Sequence, residues 1–212
     1  MTVTEPSHAD TATSFPIISA DSHITEPPNC YIDHIDPAFR DRAPRMVTHP
    51  ERGDQFVVEG MRPISMGLVA AAGKAAEEIT VHGVMFDELH RSGWDPTARL
   101  ADQDRDGVAA EIIYPTVGMV VCNHDDVDFK KACFDAYNRW IGDYCNESPT
   151  RLLGAGQVDG PYNGSGRAAR VLIGLNCSDL SSLGPVRACV TCCCWVRPQF
   201  VHSYSRGPGC VA

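Results

Sequence analysis

The chain has 212 residues, of which 43% are hydrophobic, 21% charged and 8% aromatic, and its formal net charge at pH 7 is −9. This length allows one large domain, or one domain and a tail. The negative charge argues against nucleic acid and anionic membranes as partners, because both are polyanions.

The first segment, residues 1–15, is polar and has no periodic pattern, which predicts a disordered leader. It has no basic start and no apolar centre, so it is not typical of a secretory signal. No apolar run reaches the length of about 18 residues that a membrane-spanning helix needs. We therefore expect a soluble cytoplasmic protein whose ten cysteines stay reduced.

The next segment, IISADSH at residues 17–23, predicts a short strand that ends in an acid and a histidine. Asp21 and His23 stand at alternate positions, so in an extended strand both side chains point to the same side. Such a pair can be hydrogen-bonded within a core, or it can supply two ligands of one metal ion. Their spacing alone leaves both interpretations open.

Residues 24–93 lack a sustained periodic pattern and predict a long irregular insertion. Within it, QFVVEGMRPISMG is typical of a small hairpin and GLVAAAGKAAEE of a short helix. An irregular segment this long in a compact domain is usually functional or disordered.

Regular structure is predicted again from Asp95, an N-cap residue followed by proline, and the helix DPTARLADQDRD should end at Gly107. The apolar run VAAEIIY predicts a buried strand that ends at Pro115. A second helix should begin at 125–126, because its apolar residues recur at steps of three and four. Pro149 ends that segment, and RLLGAGQV predicts a third strand.

The resulting order is strand, insertion, helix, strand, helix, strand, which indicates an α/β fold with a parallel sheet and right-handed crossovers. Either a barrel or a doubly wound sheet fits this order. The dinucleotide pattern G-x-G-x-x-G does not follow the first strand, and no G-x-x-x-x-G-K-[ST] occurs, so nucleotide-binding folds are disfavoured. In a barrel, catalytic groups lie at the carboxyl ends of strands, where Asp21 and His23 are predicted to lie.

Four stretches carry a resemblance to a known family: ADSHITEP, DPAFRDRAPRMV, WDPTARLADQDRDGVAAEIIYPTVG and AYNRWIGDYCNESPTRLLGAGQV. In this order they resemble the amidohydrolase-related family, the TIM-barrel metal-dependent hydrolases and decarboxylases related to aminocarboxymuconate-semialdehyde decarboxylase. The resemblance covers residues 16–158. It implies a (β/α)8 barrel in which Asp21 and His23 bind a divalent metal, zinc or manganese. It also implies hydrolysis or decarboxylation of a small carboxylated or cyclic compound.

Three further residues enter as candidates beside this pair. Glu26 is a candidate for orienting a metal ligand, although a solvated loop residue fits the same pattern. His124 follows the second strand, so at a barrel rim it is the best remaining histidine for contact with substrate. The family also takes a histidine and an aspartate from later strands, and His202 in PQFVHSYS is a weak candidate for that third ligand.

The composition changes sharply after residue 158, where the resemblance stops. Residues 1–158 hold 25 acidic and 13 basic residues, whereas 160–212 hold one acid, five arginines and six of the ten cysteines. Five more strand–helix units would need roughly 150 residues. We therefore expect an incomplete TIM barrel with an aberrant, poorly ordered tail over 159–212, from an interrupted frame or a truncated gene model, and little or no catalysis.

Two alternatives come from other classes of protein. The first is a non-catalytic α/β protein in which Asp21 and His23 form a structural pair. The second is a zinc-binding interaction module in the tail, where Cys189 and Cys192 make one C-x-x-C pair. All three hypotheses, the amidohydrolase-related enzyme and these two alternatives, are compatible with a homo-oligomer.

Overall fold

The protein is described by a computed structural model that covers residues 15–69 and 71–158. Its strands are β1 (Ile17–His23), β2 (Arg45–His49), β3 (Gly53–Val57), β4 (Ile64–Ser65), β5 (Val108–Tyr114) and β6 (Leu152–Gly154). Its α-helices are α1 (Pro96–Asp106), α2 (Val117–Val121) and α3 (Val127–Cys145), and short 3-10 turns connect several of these elements. The described residues therefore form a mixed α/β structure.

The main sheet is parallel and has the order β1-β5-β6, with β5 in the centre. His23 pairs with Tyr114 at the carboxyl end of β1, and Ile113 pairs with Gly154 of β6. The three strands predicted from the apolar runs are thus confirmed, although the third is limited to 152–154. Within the described ranges the sheet is open, and they contain no closed barrel.

Helices α1 and α3 begin where their capping residues predict, and α1 also ends at its predicted cap. The Asp95 carboxylate accepts hydrogen bonds from the backbone N–H groups of Thr97 (2.9 Å) and Ala98 (3.1 Å) at the start of α1. Gly107 ends α1 in the left-handed conformation, with φ at 71°. The Asp126 carboxylate caps α3 through the N–H of Phe129, at 3.0 Å.

The segment between β1 and α1 is more ordered than its sequence indicates. The predicted hairpin is confirmed as β3 and β4, and β2 adds a third antiparallel strand beside β3. The helix predicted in GLVAAAGKAAEE is wrong, because the described residues of that stretch, all but residue 70, contain only 3-10 turns, at Met66–Leu68 and Ala76–Glu78. Most residues from 71 to 80 are exposed, so packing does not support a helix that is too short to be stable alone.

A single large core joins this segment to the sheet. Ile113 and Leu152, on one face of the sheet, belong to the same buried cluster as Tyr137 of α3 and Phe56 of β3. On the opposite face Ile112, Tyr114 and Ala155 form a smaller cluster. No helix in the described part is long and apolar enough to cross a membrane.

Candidate functional site

The candidate site lies at the carboxyl end of β1, on the sheet face that is turned away from α3. His23 pairs with Tyr114, and the rings of these two residues contact each other with centroids 5.9 Å apart. Because Tyr114 belongs to the small cluster opposite α3, His23 lies on that face too. Asp21 stands two positions earlier, and its Oδ1 lies 3.8 Å from His23 Nε2, so the two side chains lie on the same side.

The two side chains lie close together, but they are not hydrogen-bonded. The distance from His23 Nε2 to Asp21 Oδ1 is 3.8 Å, longer than a hydrogen bond, and the Asp21 side chain is 91% exposed. A buried, hydrogen-bonded Asp–His pair, which was the structural alternative, therefore does not describe this geometry.

Within the described residues the His23 ring makes one hydrogen bond, which decides which nitrogen carries the proton in the neutral ring. His23 Nδ1 lies 3.1 Å from the carbonyl oxygen of Pro115. A carbonyl can only accept, so Nδ1 carries the proton and donates it. In the neutral ring Nε2 then keeps a lone pair, on the side where Asp21 lies. An imidazole nitrogen and a carboxylate oxygen are both ordinary ligands of zinc.

His23 Nε2 and Asp21 Oδ1 are atoms of the kinds that bind zinc, but they are only two. A catalytic zinc site usually has three protein ligands and one open position. Among the residues that the structure describes, no group of three or more His, Cys, Asp or Glu side chains could hold a metal. The third ligand suggested by sequence, His202, lies outside the described residues, as do Cys189 and Cys192 of the tail.

Glu26 does not contact Asp21 or His23 directly. Its side chain is fully buried, and its carboxylate accepts hydrogen bonds from the N–H groups of Thr116 (3.1 Å), Val117 (3.0 Å) and Gly118 (3.0 Å). Burial raises the pKa of Glu26, and these backbone donors oppose that effect. The exposed-loop interpretation of Glu26 is therefore wrong, and the residue holds the start of α2.

His124 is engaged through both ring nitrogens. Its Nδ1 accepts the backbone N–H of Asp126 at 3.1 Å, so its Nε2 is the donor to the carbonyl of Glu59, at 2.9 Å. The ring also packs edge-on against Phe129, with centroids 4.7 Å apart. These contacts give His124 a structural role beside β3, and its contact with substrate stays a prediction.

One residue near the site was not singled out from sequence. Arg99 of α1 donates to the carbonyl of His23 at 2.7 Å, and it also reaches Glu111 of β5 at 2.8 Å. The signal that could have found it was Glu111, an acid within the apolar run VAAEIIY. A buried carboxylate needs a cationic partner, and the preceding helix is the nearest source of one.

A polar cleft of about 280 Å³ adjoins His23 beside α1, and its volume is slightly below the usual range for ligand pockets. It borders His23 but not Asp21. Its lining consists of Ser22, His23, Ser92, Arg99, Asp102, Gln103, Asp106, Val108 and Glu111.

Comparison with known proteins adds one finding about the fold. No family model and no curated protein matches the sequence. Solved structures do match, among them an amidohydrolase from Mycobacterium avium subsp. paratuberculosis K-10, with a TM-score of 0.51 and 20% identity. That match covers 70% of this chain and 44% of the other, so the chain spans less than half the length of that structure. The aligned part has an amidohydrolase-like fold.

Proposed function

We propose that Asp21 and His23 supply two ligands of a divalent metal, zinc or manganese, in a protein of the amidohydrolase-related kind. The observation that carries this proposal is the position of the pair at the carboxyl end of a parallel strand, with His23 Nε2 3.8 Å from Asp21 Oδ1 and His23 Nδ1 hydrogen-bonded to the Pro115 carbonyl. The amidohydrolase-like fold supports it, because catalytic groups of barrel enzymes lie at this end of the strands.

The proposed substrate is a small carboxylated or cyclic molecule, and the proposed reaction is hydrolysis or decarboxylation. A bound metal would supply an activated water or polarise a carbonyl or carboxylate group. In this chain Asp21 and His23 would hold the ion, and the Pro115 carbonyl would keep His23 Nε2 available as a ligand. Since the described residues provide two ligands, we propose little or no metal-dependent turnover by this chain alone.

The test is titration of the purified chain with Zn²⁺ and Mn²⁺, followed by competition with a chelator. The Asp21→Asn/His23→Asn variant should lose the metal, because neither amide replaces the lost imidazole nitrogen or carboxylate oxygen as a metal ligand. The matched control is His90→Asn. His90 Nδ1 also lies near a carboxylate, 3.6 Å from that of Asp102. This pair, however, lies at helix α1 and not at the end of β1.

Binding that is lost in the double variant and kept in His90→Asn is the expected result. If the double variant keeps the metal at unchanged affinity, or the unaltered chain binds none, the proposal is wrong. Zinc that is retained in the double variant and lost in Cys189→Ser/Cys192→Ser would assign the ion to the tail.

A further inference from the structure

A buried carboxylate links the loop after β1 to the loop after β5. Glu26 Oε1 accepts the N–H groups of Thr116 and Gly118, and Oε2 accepts that of Val117. Glu26 is fully buried, and the Tyr31 hydroxyl reaches its Oε1 only at the long distance of 3.5 Å. Three successive backbone donors therefore depend on one side chain.

The same stretch of backbone is also held from two other directions. The Thr116 hydroxyl donates to the carbonyl of Ile24 at 2.6 Å, and Gln157 Nε2 donates to the carbonyl of Gly118 at 2.9 Å. Gln157 is itself fixed by Asn138 of α3 through two hydrogen bonds of 2.7 Å. Residues 116–118 are therefore tied to the carboxyl ends of both β1 and β6.

This stretch is directly connected to the candidate metal ligand. Pro115 precedes Thr116, and its carbonyl accepts the proton of His23 Nδ1 at 3.1 Å. A shift of residues 116–118 would carry that carbonyl with it. The hydrogen bond to Nδ1 decides which ring nitrogen is protonated, and so which one can bind a metal.

We propose that Glu26 is a positioning residue for His23: it fixes the backbone of 116–118, so that the Pro115 carbonyl keeps His23 protonated at Nδ1 and open at Nε2. As a role in metal binding, this inference rests on the proposed function above. As a statement about the His23 ring, it stands without any metal.

The test measures the tautomer of His23 by long-range ¹H–¹⁵N NMR on the metal-free chain at pH 8, where histidine is ordinarily neutral. The unaltered chain should show the Nδ1–H form as the major one. In Glu26→Gln the side-chain amide must place an NH₂ group against at least one of the three backbone donors, so the loop shifts. The Nε2–H form of His23 should then become a major species.

A second variant reaches the same loop from its other side. A methyl group added at Gly118 would overlap Gln157 Oε1 and lie 2.8 Å from Pro115 Cβ. Gly118→Ala should therefore change the His23 tautomer even if Glu26→Gln does not fold. The control is Tyr31→Phe, which removes the 3.5 Å contact to Glu26 and leaves all three backbone bonds, so the His23 tautomer should stay unchanged.

A metal titration of the same variants separates this inference from the proposed function. A loss of about 10- to 100-fold in Zn²⁺ affinity in Glu26→Gln, together with the tautomer change, supports both. A tautomer change in a chain that binds no metal supports the positioning role and contradicts the proposed function. An unchanged tautomer in both folded loop variants overturns the positioning role, whatever the metal affinity.

Discussion

Arg99 shows how a single residue ties the candidate site to the rest of the fold. Its guanidinium donates to three acceptors from three different segments: the carbonyl of His23, the carbonyl of Ser92 and the carboxylate of Glu111, at 2.7, 2.9 and 2.8 Å. The side chains of Arg99 and Glu111 are only 9% and 16% exposed. A buried ion pair of this kind adds little net stability, but removing one partner leaves a charge without compensation.

We therefore predict that Arg99→Met lowers the free energy of unfolding by about 3–5 kcal/mol, because Glu111 keeps its charge in a nearly buried place. Arg99→Met/Glu111→Leu should lose less than Arg99→Met alone. The double variant should still be less stable than the unaltered chain, since two backbone carbonyls lose a donor, at about 1 kcal/mol each. Urea unfolding of Arg99→Met, Glu111→Leu and the double variant measures this cycle.

The control for this cycle is Arg105→Met. Arg105 also pairs with acids, but its side chain is 63% exposed and water screens both charges, so its loss should change stability little. The interpretation fails if the double variant is as unstable as the sum of the single variants.

At the residue scale, the sequence identified individual site residues better than it identified their hydrogen-bond partners. Asp21 and His23 could be placed on one face, because the period of a strand is two and needs no tertiary information. The hydrogen bond from His23 to Pro115 and the donors around Glu26 could not be predicted, since they join residues about 90 positions apart in the chain.

Helix α3 is the element with the most buried titratable side chains. Burial raises the pKa of Cys133 to about 12 and that of Cys145 to about 11. It also raises the pKa of the Tyr137 and Tyr144 hydroxyls above the ordinary value of 10.0. All four groups are therefore neutral in the folded protein at pH values where an unfolded chain would begin to lose their protons.

From this we predict that stability falls as the pH rises above about 9. An unfolded thiol loses its proton near its ordinary pKa of 9.0, whereas folded Cys133 keeps its proton until about pH 12, so between these values the unfolded state binds fewer protons. Cys133 alone contributes a slope of up to about 1.4 kcal/mol per pH unit. Its contribution is fully present below pH 9 and is lost through the window up to pH 12.

Urea unfolding at pH 8, 9, 10 and 11 checks this prediction. In Cys133→Ala the free energy of unfolding should fall less steeply with rising pH, because the titrating thiol is gone. This holds even if the variant is less stable than the unaltered chain at pH 8. Val127→Ala changes an exposed, non-titrating residue of the same helix and should leave the slope as it was. Equal slopes in all three proteins would contradict the prediction.

Elements whose signals are local were the ones that the sequence predicted well. Asp95 with Pro96 and Gly107 mark the two ends of α1, because caps act on adjacent backbone groups. The helix expected in GLVAAAGKAAEE fails for the opposite reason. Its residues have good helix propensity, but propensity alone does not stabilise so short a segment, and the core leaves most of 71–80 exposed.

At the scale of the whole molecule, the alternation of strands and helices predicted the parallel sheet. It did not predict that the segment between β1 and α1 shares the main core, because the contacts of Phe56 and Val58 with that core have no periodic signature. The barrel expected from the family resemblance is not closed within the described residues, where the sheet has three parallel strands.

This open sheet predicts an order of hydrogen exchange. In the described part, β5 is paired on both sides, whereas β1 and β6 are each paired with β5 alone. Amides of β5 and of the buried face of α3 should therefore exchange slowest, those of β1 and β6 faster, and those of the exposed stretch 71–80 fastest. Exchange followed by mass spectrometry measures this order.

Protection of β1 equal to that of β5 would contradict an unpaired outer edge at β1. The edge could then be covered by a second copy of the chain, since exposed strand edges are sites of pairing between molecules. Dilution separates the two cases. Pairing between copies should weaken as the protein is diluted, and β1 would then exchange faster. Pairing with residues of the same chain outside the described ranges should leave its exchange independent of concentration.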